Sequence, residues 1–408
     1  MCGIAGKVRY DGEPVAEPLV QRMCRAMVHR GPDSYGAFVR EGVGLGAQRL
    51  RVIDLQTGDQ PIRNEDGSVI VVLNGEIFNF RELRARLQKS GHAFTTGTDT
   101  EVIAHLYEEE GPGCVASLHG MFAFAVWDAP RRRLMLARDR TGEKPLFYAH
   151  RGAALSFGSE LNALMQDRAI PRDLDERALD EYLAYGWIPE PRSAFAAVRK
   201  LAPASTLLFD GGEPQIDRYW RLDYARKLAV DRAEDLHEPI RAALRRAVSR
   251  RMVADVPIGA FLSGGIDSSA IVAAMAEVSP QPVKTFSIGF DSAAHDELAH
   301  ARAVARRLGT DHHELVVRPD AVRIIPEMVH RYGEPFGEPS ALPMFHLARL
   351  ARPHVTVALS GDGGDESFAG YPRYATNALL ARLDRLPRAA RRGAAAAARR
   401  LPEGATLG

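Results

Sequence analysis

The rhythm of hydrophobic and polar positions changes once along the chain. Up to about residue 160 the apolar residues fall in short runs, GIAGKV, GLGAQRLRVI, SVIVVLN, MFAFAVW, RLMLA, PLFYA and ALSFG, separated by Gly, Asp and Pro. Runs of this length bounded by turn formers predict the strands of an antiparallel sheet system. Two stretches of helical period interrupt them: FRELRARLQKSG, with Phe80, Leu83 and Leu87 on one face and a stop at Gly91, and DTEVIAHLYEEEG.

After about residue 235 the pattern differs. A helix with the apolar face Ile240, Leu244, Val248 and Met252 leads into VPIGAFL, a glycine turn and the helical SSAIVAAMAEV. VKTFSIGF, DELAHARAVARRLG, HHELVV, ALPMFHLARLARP and VTVALS then alternate strand and helix. That order predicts a parallel, doubly wound sheet with right-handed crossovers. The Pro-rich stretch from roughly 171 to 235 contains the boundary between the two patterns. From about 375 an Ala/Arg-rich stretch interrupted by Pro and Gly permits helix but predicts poor packing.

A chain of 408 residues is long for one core, so two domains are expected. The net charge of +1, from 53 basic and 52 acidic side chains, excludes a global field that would recruit nucleic acid or an acidic membrane. Cys2, Cys24 and Cys114 are widely spaced and form no CxxC pair, which argues against a disulfide framework or a thiolate zinc site and fits a reducing compartment. No basic leader and no run of ~18 apolar residues is present, so the reading is a soluble cytoplasmic protein.

Candidate chemistry begins at MCGIAG. If Met1 is removed, Cys2 carries both a nucleophilic sulfur and a free α-amine able to act as its base. A chance cysteine in a first strand would look the same on position alone. Other segments change the balance. Arg49 in LGAQRLRVID offers a planar fork for a carboxylate. Asn74 and Gly75 in VVLNGEIFN are the amide and backbone donors that an oxyanion hole requires. Glu76 and Asp99 could accept from an ammonium group. Each has a plainer alternative, since NG is commonly a turn, a strand Arg a surface residue and GTD a helix cap.

In this order, MCGIAG, HRGPDS, AQRLRVIDL, LNGEIFNF, GTDTEVI, GMFAFAVWD and RDRTGEKPLFYA closely resemble the class II glutamine amidotransferase domain, an N-terminal nucleophile hydrolase. The resemblance implies hydrolysis of the glutamine amide through a thioester on Cys2. Asn74 and Gly75 would stabilise the oxyanion, and Arg49, Glu76 and Asp99 would grip the glutamine backbone groups. Cys24 and Cys114 match no catalytic position and read as packing residues.

LSGGIDSS follows an apolar strand and opens a helix, an arrangement that binds anions. Ser263, Gly264, Gly265, Ser268 and Ser269 supply donors and close approach, while Asp267 beside phosphates makes sense chiefly with a divalent metal. No GxxxxGK[ST] is present, so this is not a P-loop. SGDGGDESFAGY follows the strand VTVALS. Two such loops at the carboxyl ends of parallel strands would meet at a topological switch point, with Asp362, Asp365 and Glu366 facing the first.

This pair resembles the ATP pyrophosphatase domain of asparagine synthetases, and with the N-terminal half it is similar to the glutamine-hydrolysing asparagine synthetase family over residues 1 to about 374. The resemblance implies a glutaminase domain over 1–208, an ATP-binding synthetase domain over 209–374 and a tail over 375–408. It implies ATP cleavage between the α and β phosphates and magnesium on Asp267 and Asp365. It further implies a nucleotide pocket lined by Leu262, Ile288, Ser360 and Gly361, and adenylate formation at Asp362. His312 and His313 fit the pattern as packing residues rather than zinc ligands. Glutamine, ATP and a carboxylate, aspartate foremost, would be the substrates, and a homodimer is compatible. Members of the family continue with further helices and a lysine that acts on the adenylate. Here no matching lysine follows the second loop, so the synthetase region reads as incomplete. Other carboxylates, glutaminase activity alone and a non-catalytic role stay open.

Overall fold

The computed structural model describes residues 1–225, 227–290, 298–317, 321–383, 387, 388, 391 and 392. The first body contains twelve strands: β1 (Gly3–Arg9), β2 (Ser34–Arg40), β3 (Val43–Arg49), β4 (Ile62–Arg63), β5 (Val69–Ile77), β6 (Gly120–Asp128), β7 (Arg133–Arg138), β8 (Phe147–Arg151), β9 (Ala154–Gly158), β10 (Arg199–Lys200), β11 (Ser205–Phe209) and β12 (Gln215–Arg218). Its helices are α1 (Glu17–Arg25), α2 (Phe80–Lys89), α3 (Glu101–Glu110), α4 (Leu161–Leu164) and α5 (Glu176–Tyr185). The strands form two antiparallel sheets, ordered β10-β8-β9-β1-β3-β2 and β12-β11-β7-β6-β5-β4.

Three apolar clusters stack these elements into four layers. Ile4, Leu45, Val72, Ala125 and Phe157 fill the space between the sheets. Phe80, Leu83 and Leu87 of α2, with Val102, Ile103 and Leu106 of α3, cover the outer face of the second sheet. Val20, Met23 and Cys24 of α1 and Leu161 of α4 cover the outer face of the first. Central strands are therefore buried on both faces, which is why SVIVVLN and MFAFAVW read as continuous apolar runs rather than alternating ones. Cys24 and Cys114 are fully buried in this packing, and burial, foremost, pushes both thiols up to about 12.

The second body is an open parallel sheet. It comprises α6 (His237–Arg251), β13 (Ile258–Phe261), α7 (Ile266–Val278), β14 (Lys284–Phe290), α8 (Leu298–Leu308), β15 (Asp311–Val317), α9 (Ala321–Tyr332), α10 (Ala341–Ala351), β16 (Val357–Leu359), α11 (Gly364–Phe368) and α12 (Pro372–Leu383). The strand order is β15-β14-β13-β16. After β15 the chain crosses back to the far side of β13, so the order reverses between β13 and β16. Of the apolar face read on α6, only Val248 is fully buried, and Ile240 is exposed.

Two boundaries differ from those read in the sequence. Position 208 falls inside β11, which pairs with β12 as far as the Ser205–Arg218 register, so the first body continues through Arg218. The short strands β11 and β12 follow a Pro-rich stretch and carry little pattern of their own; the pairing that defines them is non-local. Helix α12 runs across position 375, and the rest of the tail, apart from residues 387, 388, 391 and 392, lies outside the described residues.

The two bodies are locked together at one end of each sheet. The Asp255 carboxylate accepts the Asp54 N–H at 2.7 Å, the Asp255 N–H donates to the Val52 carbonyl at 2.9 Å, and the Arg251 guanidinium lies over the Phe78 ring. Val253, Ala254, Val256 and Val357 pack against the core of the first body. Lys200 pairs with Glu334 at 2.5 Å on another side of the interface.

Candidate active sites

Strand β1, in the interior of its sheet, presents Cys2 at its start as the residue before Gly3, which pairs with Gln48 of β3. The Cys2 side chain is buried, and its thiol points to the Leu50 carbonyl at 3.7 Å. The Arg30 guanidinium donates from Nε to the Cys2 carbonyl at 2.9 Å. Glu160 holds Arg30 in turn, at 3.0 Å from Nη1, and accepts from His29 at the same distance. All of these side chains are largely buried, so the ion pair acts as a rigid post under the nucleophile's backbone.

Burial dominates the titration here. It raises the Cys2 thiol, against which the adjacent amino terminus acts by favouring the thiolate. It lowers the terminal amine to about 6, with the Arg30 and Lys144 cations acting in the same direction. The terminal residue in this structure is Met1, whose sulfur accepts from the Lys144 ammonium at 3.0 Å. A terminal amine in these surroundings is largely unprotonated at neutral pH, the state needed to take a thiol proton.

Asn74 and Gly75 lie on β5. Asn74 is completely buried, its Nδ2 is 3.5 Å from the Ser159 hydroxyl, and its Oδ1 has no hydrogen-bond partner. The Ser159 hydroxyl also accepts the Ile4 N–H at 3.0 Å, which ties Asn74 to the nucleophile's strand. Gly75 has φ +148°, and a Cβ there would come within 2.0 Å of the Met121 carbonyl oxygen. Glycine alone fits this approach of β5 to β6.

Glu76 and Asp99 come together although they are distant in sequence. Burial raises both carboxyls, Glu76 most strongly, and the facing Asp99 carboxyl raises Glu76 further. Asp99 is oriented by the Ile77 N–H at 2.7 Å and the Thr98 hydroxyl at 3.1 Å. Two half-buried or buried acids against each other share a proton unless a cation arrives, which is the chemistry of an ammonium receptor.

Arg49, at the end of β3, is buried and already engaged. It donates to the Asp59 carboxylate at 2.8 Å and to the Ile53 and Asp54 carbonyls at 2.9 and 2.6 Å. It therefore also fixes the loop from 53 to 59. Sequence reasoning assigned no role to Arg30, Lys144, Ser159 or Glu160. Their signal lay in HRGPDS, GEKP and FGSE, segments whose contribution becomes visible only when strand pairing brings them to Cys2.

The second site sits where the strand order reverses. Leu262 extends β13 through its N–H to the Phe286 carbonyl at 2.9 Å, and Gly265 caps α7. Gly264 has φ +84°, and a Cβ there would strike the α8 backbone at Ala301. The hydroxyls of Ser263 and Ser268 are 3.0 Å apart, while Ser269 Oγ is buried without a partner. Opposite, a Cβ on Gly361 would approach the Ser268 N–H at 2.8 Å, and one on Gly364 would overlap the Asp267 carboxylate at 2.4 Å. Both glycine loops are thus in contact, as their position at the switch point requires. Ser360 donates to Asp362 at 2.9 Å, and Tyr371 donates to Glu366 at 2.8 Å. A Cβ on Gly370 would overlap the Asp365 carboxylate. Ile288 lies on β14 among the apolar residues around Phe286. His312 bonds Thr285 at 2.9 Å, and His313 stacks on Phe286, so both pack as expected.

Comparison with known proteins gives a consistent result. Residues 1–220 match the family model of the glutamine amidotransferase domain, and residues 239–407 match that of asparagine synthase. Asparagine synthetase [glutamine-hydrolyzing] 1 of Bacillus subtilis is 36% identical over 99% of this chain and 64% of its own length. A putative asparagine synthetase [glutamine-hydrolyzing] 2 of Methanocaldococcus jannaschii is 36% identical over 95% of this chain and 79% of its own length. The chain thus spans about two thirds of the length of the Bacillus subtilis relative. A solved glutamine phosphoribosylpyrophosphate amidotransferase from Bacillus subtilis, complexed with ADP and GMP, aligns with 88% of this chain and 90% of its own, at 15% identity and a TM-score of 0.40, too low to bear on function.

Proposed function

Since the chain belongs to the glutamine-hydrolysing asparagine synthetase family, we propose that it amidates a carboxylate, aspartate foremost, using ATP and ammonia drawn from glutamine. The products would be asparagine, glutamate, AMP and pyrophosphate. The observation that carries the reading is the cradle around Cys2: a buried thiol, an amide and glycine on β5, and a pair of facing acids at Glu76 and Asp99.

With Met1 removed, the α-amine of Cys2 takes the thiol proton and the sulfur attacks the glutamine amide. The Asn74 side chain and the Gly75 N–H receive the oxyanion, and the proton returns to the departing ammonia. The glutamine ammonium pairs with Glu76 and Asp99 in place of their shared proton. Its carboxylate takes the Arg49 fork, in exchange for Asp59. Water then releases glutamate from the thioester.

In the second body, the Ser263–Ser269 loop and the N-terminus of α7 suit a polyphosphate, and the unpartnered Ser269 hydroxyl and the glycine contacts between the loops fit such a ligand. Leu262, Ile288, Ser360 and Gly361 would line the nucleotide, and Asp362 would assist transfer of AMP to the carboxylate. Asp267 and Asp365 would hold magnesium, which would offset phosphate charge. Adenylation is needed because a carboxylate lacks a good leaving group. The segment from Leu50, which faces the Cys2 thiol, to Val52, which bonds Asp255, runs between the two bodies beside Val253, Ala254 and Val256. An apolar passage there would keep ammonia from water and protons.

The test is a pyrophosphate release screen over candidate acids, with glutamine or ammonia as donor, on the chain and on Cys2→Ala. Aspartate should support release with either donor in the parent chain and with ammonia alone in the variant. Pyrophosphate with a different acid would overturn the substrate. Glutamate without any pyrophosphate would reduce the activity to glutaminase.

A further inference from the structure

Outside both sites, four side chains from three segments converge on one point of the first body. Glu65 comes from the turn after β4, His92 from the loop after α2, and His105 with Glu108 from one face of α3. His92 Nδ1 is 3.1 Å from Glu65 Oε1 and 3.8 Å from Glu108 Oε2. His105 Nδ1 is 3.1 Å from Glu65 Oε2 and 3.2 Å from Glu108 Oε2. For bonds of about 2.1 Å, the edge of a tetrahedral coordination shell is about 3.4 Å, and one ligand atom from each of the four residues lies within 4.8 Å of every other.

The surroundings have the form of a metal site's outer shell. His105 is completely buried, and its other nitrogen, Nε2, has no hydrogen-bond partner but faces Glu101 at 3.7 Å. His92 Nε2 faces Glu109 at 3.6 Å. Each imidazole thus lies between the common point and a second carboxylate, the arrangement that orients ligating histidines. Glu108 is steadied by Asn64 Nδ2 at 2.8 Å, and Glu65 by the Ala93 N–H at 2.9 Å. Among the described residues, Glu65, Glu101, Glu108 and Glu109 have no lysine or arginine partner, so the cluster carries an excess of negative charge.

We propose that Glu65, His92, His105 and Glu108 bind a zinc ion that fixes the start of β5 and the loop after α2 to α3. Two imidazoles with two carboxylates favour zinc over magnesium or calcium, and four protein ligands leave no open position, so the site is structural. The helix it anchors begins two residues after Asp99, so the ion stiffens the scaffold of the ammonium receptor without touching substrate.

The experiment uses the full chain, purified without a histidine tag. Metal content is measured after dialysis against a weak chelator, then zinc is titrated with thermal unfolding as the readout, and cobalt is substituted for its tetrahedral absorption. The expected result is one zinc per chain, a higher melting temperature with zinc, and loss of both in His92→Ala and in Glu65→Gln. Both substitutions lie at partly exposed positions, and circular dichroism checks that the variants fold. Substoichiometric metal with no thermal shift in the parent chain would overturn the proposal and leave a network held by protons. Zinc binding that survives both substitutions would overturn it equally, by placing the ion elsewhere.

Discussion

Gly75→Ala tests whether the backbone geometry of the Asn74–Gly75 corner is as strict as the structure requires. Gly75 has φ +148°, a region that side chains rarely adopt, and an imposed strain there costs on the order of 1–3 kcal/mol. A Cβ would also lie 2.0 Å from the Met121 carbonyl oxygen and 2.7 Å from the Phe122 Cα. Both obstacles are backbone atoms of β6, the central partner of β5, so no rotamer change relieves the contact and the two strands must part. Overpacking of this kind adds about 1–3 kcal/mol, for a total of roughly 2–6 kcal/mol. Gly91→Ala separates the two contributions: its φ is +105°, but nothing lies within 4 Å of its Cβ, so only the strain should appear. Urea unfolding can be followed through Trp127, buried in β6, with Trp187 and Trp220 replaced by Phe. Glutaminase activity should fall with the β5 geometry in Gly75→Ala and hold in Gly91→Ala. Equal destabilisation of the two variants, or less than about 0.5 kcal/mol for Gly75→Ala, would refute the steric argument.

Three further outcomes are expected. Glu160→Gln should loosen Arg30 under the Cys2 carbonyl and lower glutaminase kcat by roughly tenfold to a hundredfold, with KM for glutamine little changed; a pure KM effect in steady-state assays would contradict this. Glutamine binding to Cys2→Ala at neutral pH should release up to about one proton, because the raised Glu76–Asp99 pair holds one until the ammonium displaces it. Calorimetry in buffers of different ionisation enthalpy measures this, and no buffer dependence would exclude a shared proton. Asp167→Asn breaks the buried pair with Lys7 at 2.6 Å and should destabilise the first body by about 3–5 kcal/mol at neutral pH. Burial alone would raise Asp167, but Lys7 and further hydrogen bonds hold it below the usual range. Its stabilisation is therefore present above the unfolded carboxylate pKa and lost as pH falls through the folded one, so parent and variant unfolding free energies should converge on acidification.

The sequence by itself determined the two patterns of elements, because each depends on local periodicity: short runs between turns for the antiparallel sheets, and alternation of strand and helix for the parallel one. It also determined the candidate residues whose chemistry is carried by adjacent positions, such as Asn74 with Gly75 and Asp267 inside its serine and glycine loop. Tertiary structure alone decided which distant residues act together. Glu76 faces Asp99 because β5 and the start of α3 share one core, and their shifted titration arises from that shared burial. Arg30 reaches the Cys2 carbonyl, Glu160 reaches Arg30 and Lys144 reaches Met1 only in the folded chain, so no spacing reveals them. Arg49 reads as a free fork in sequence, yet folding closes the 53–59 loop on it. His105 and Glu108 share a helix face at i, i+3, but nothing in their spacing from Glu65 and His92 predicts the cluster; a turn, a loop and a helix face bring the four together. Local propensity specifies elements, whereas burial and charge at a site are properties of what the fold brings near.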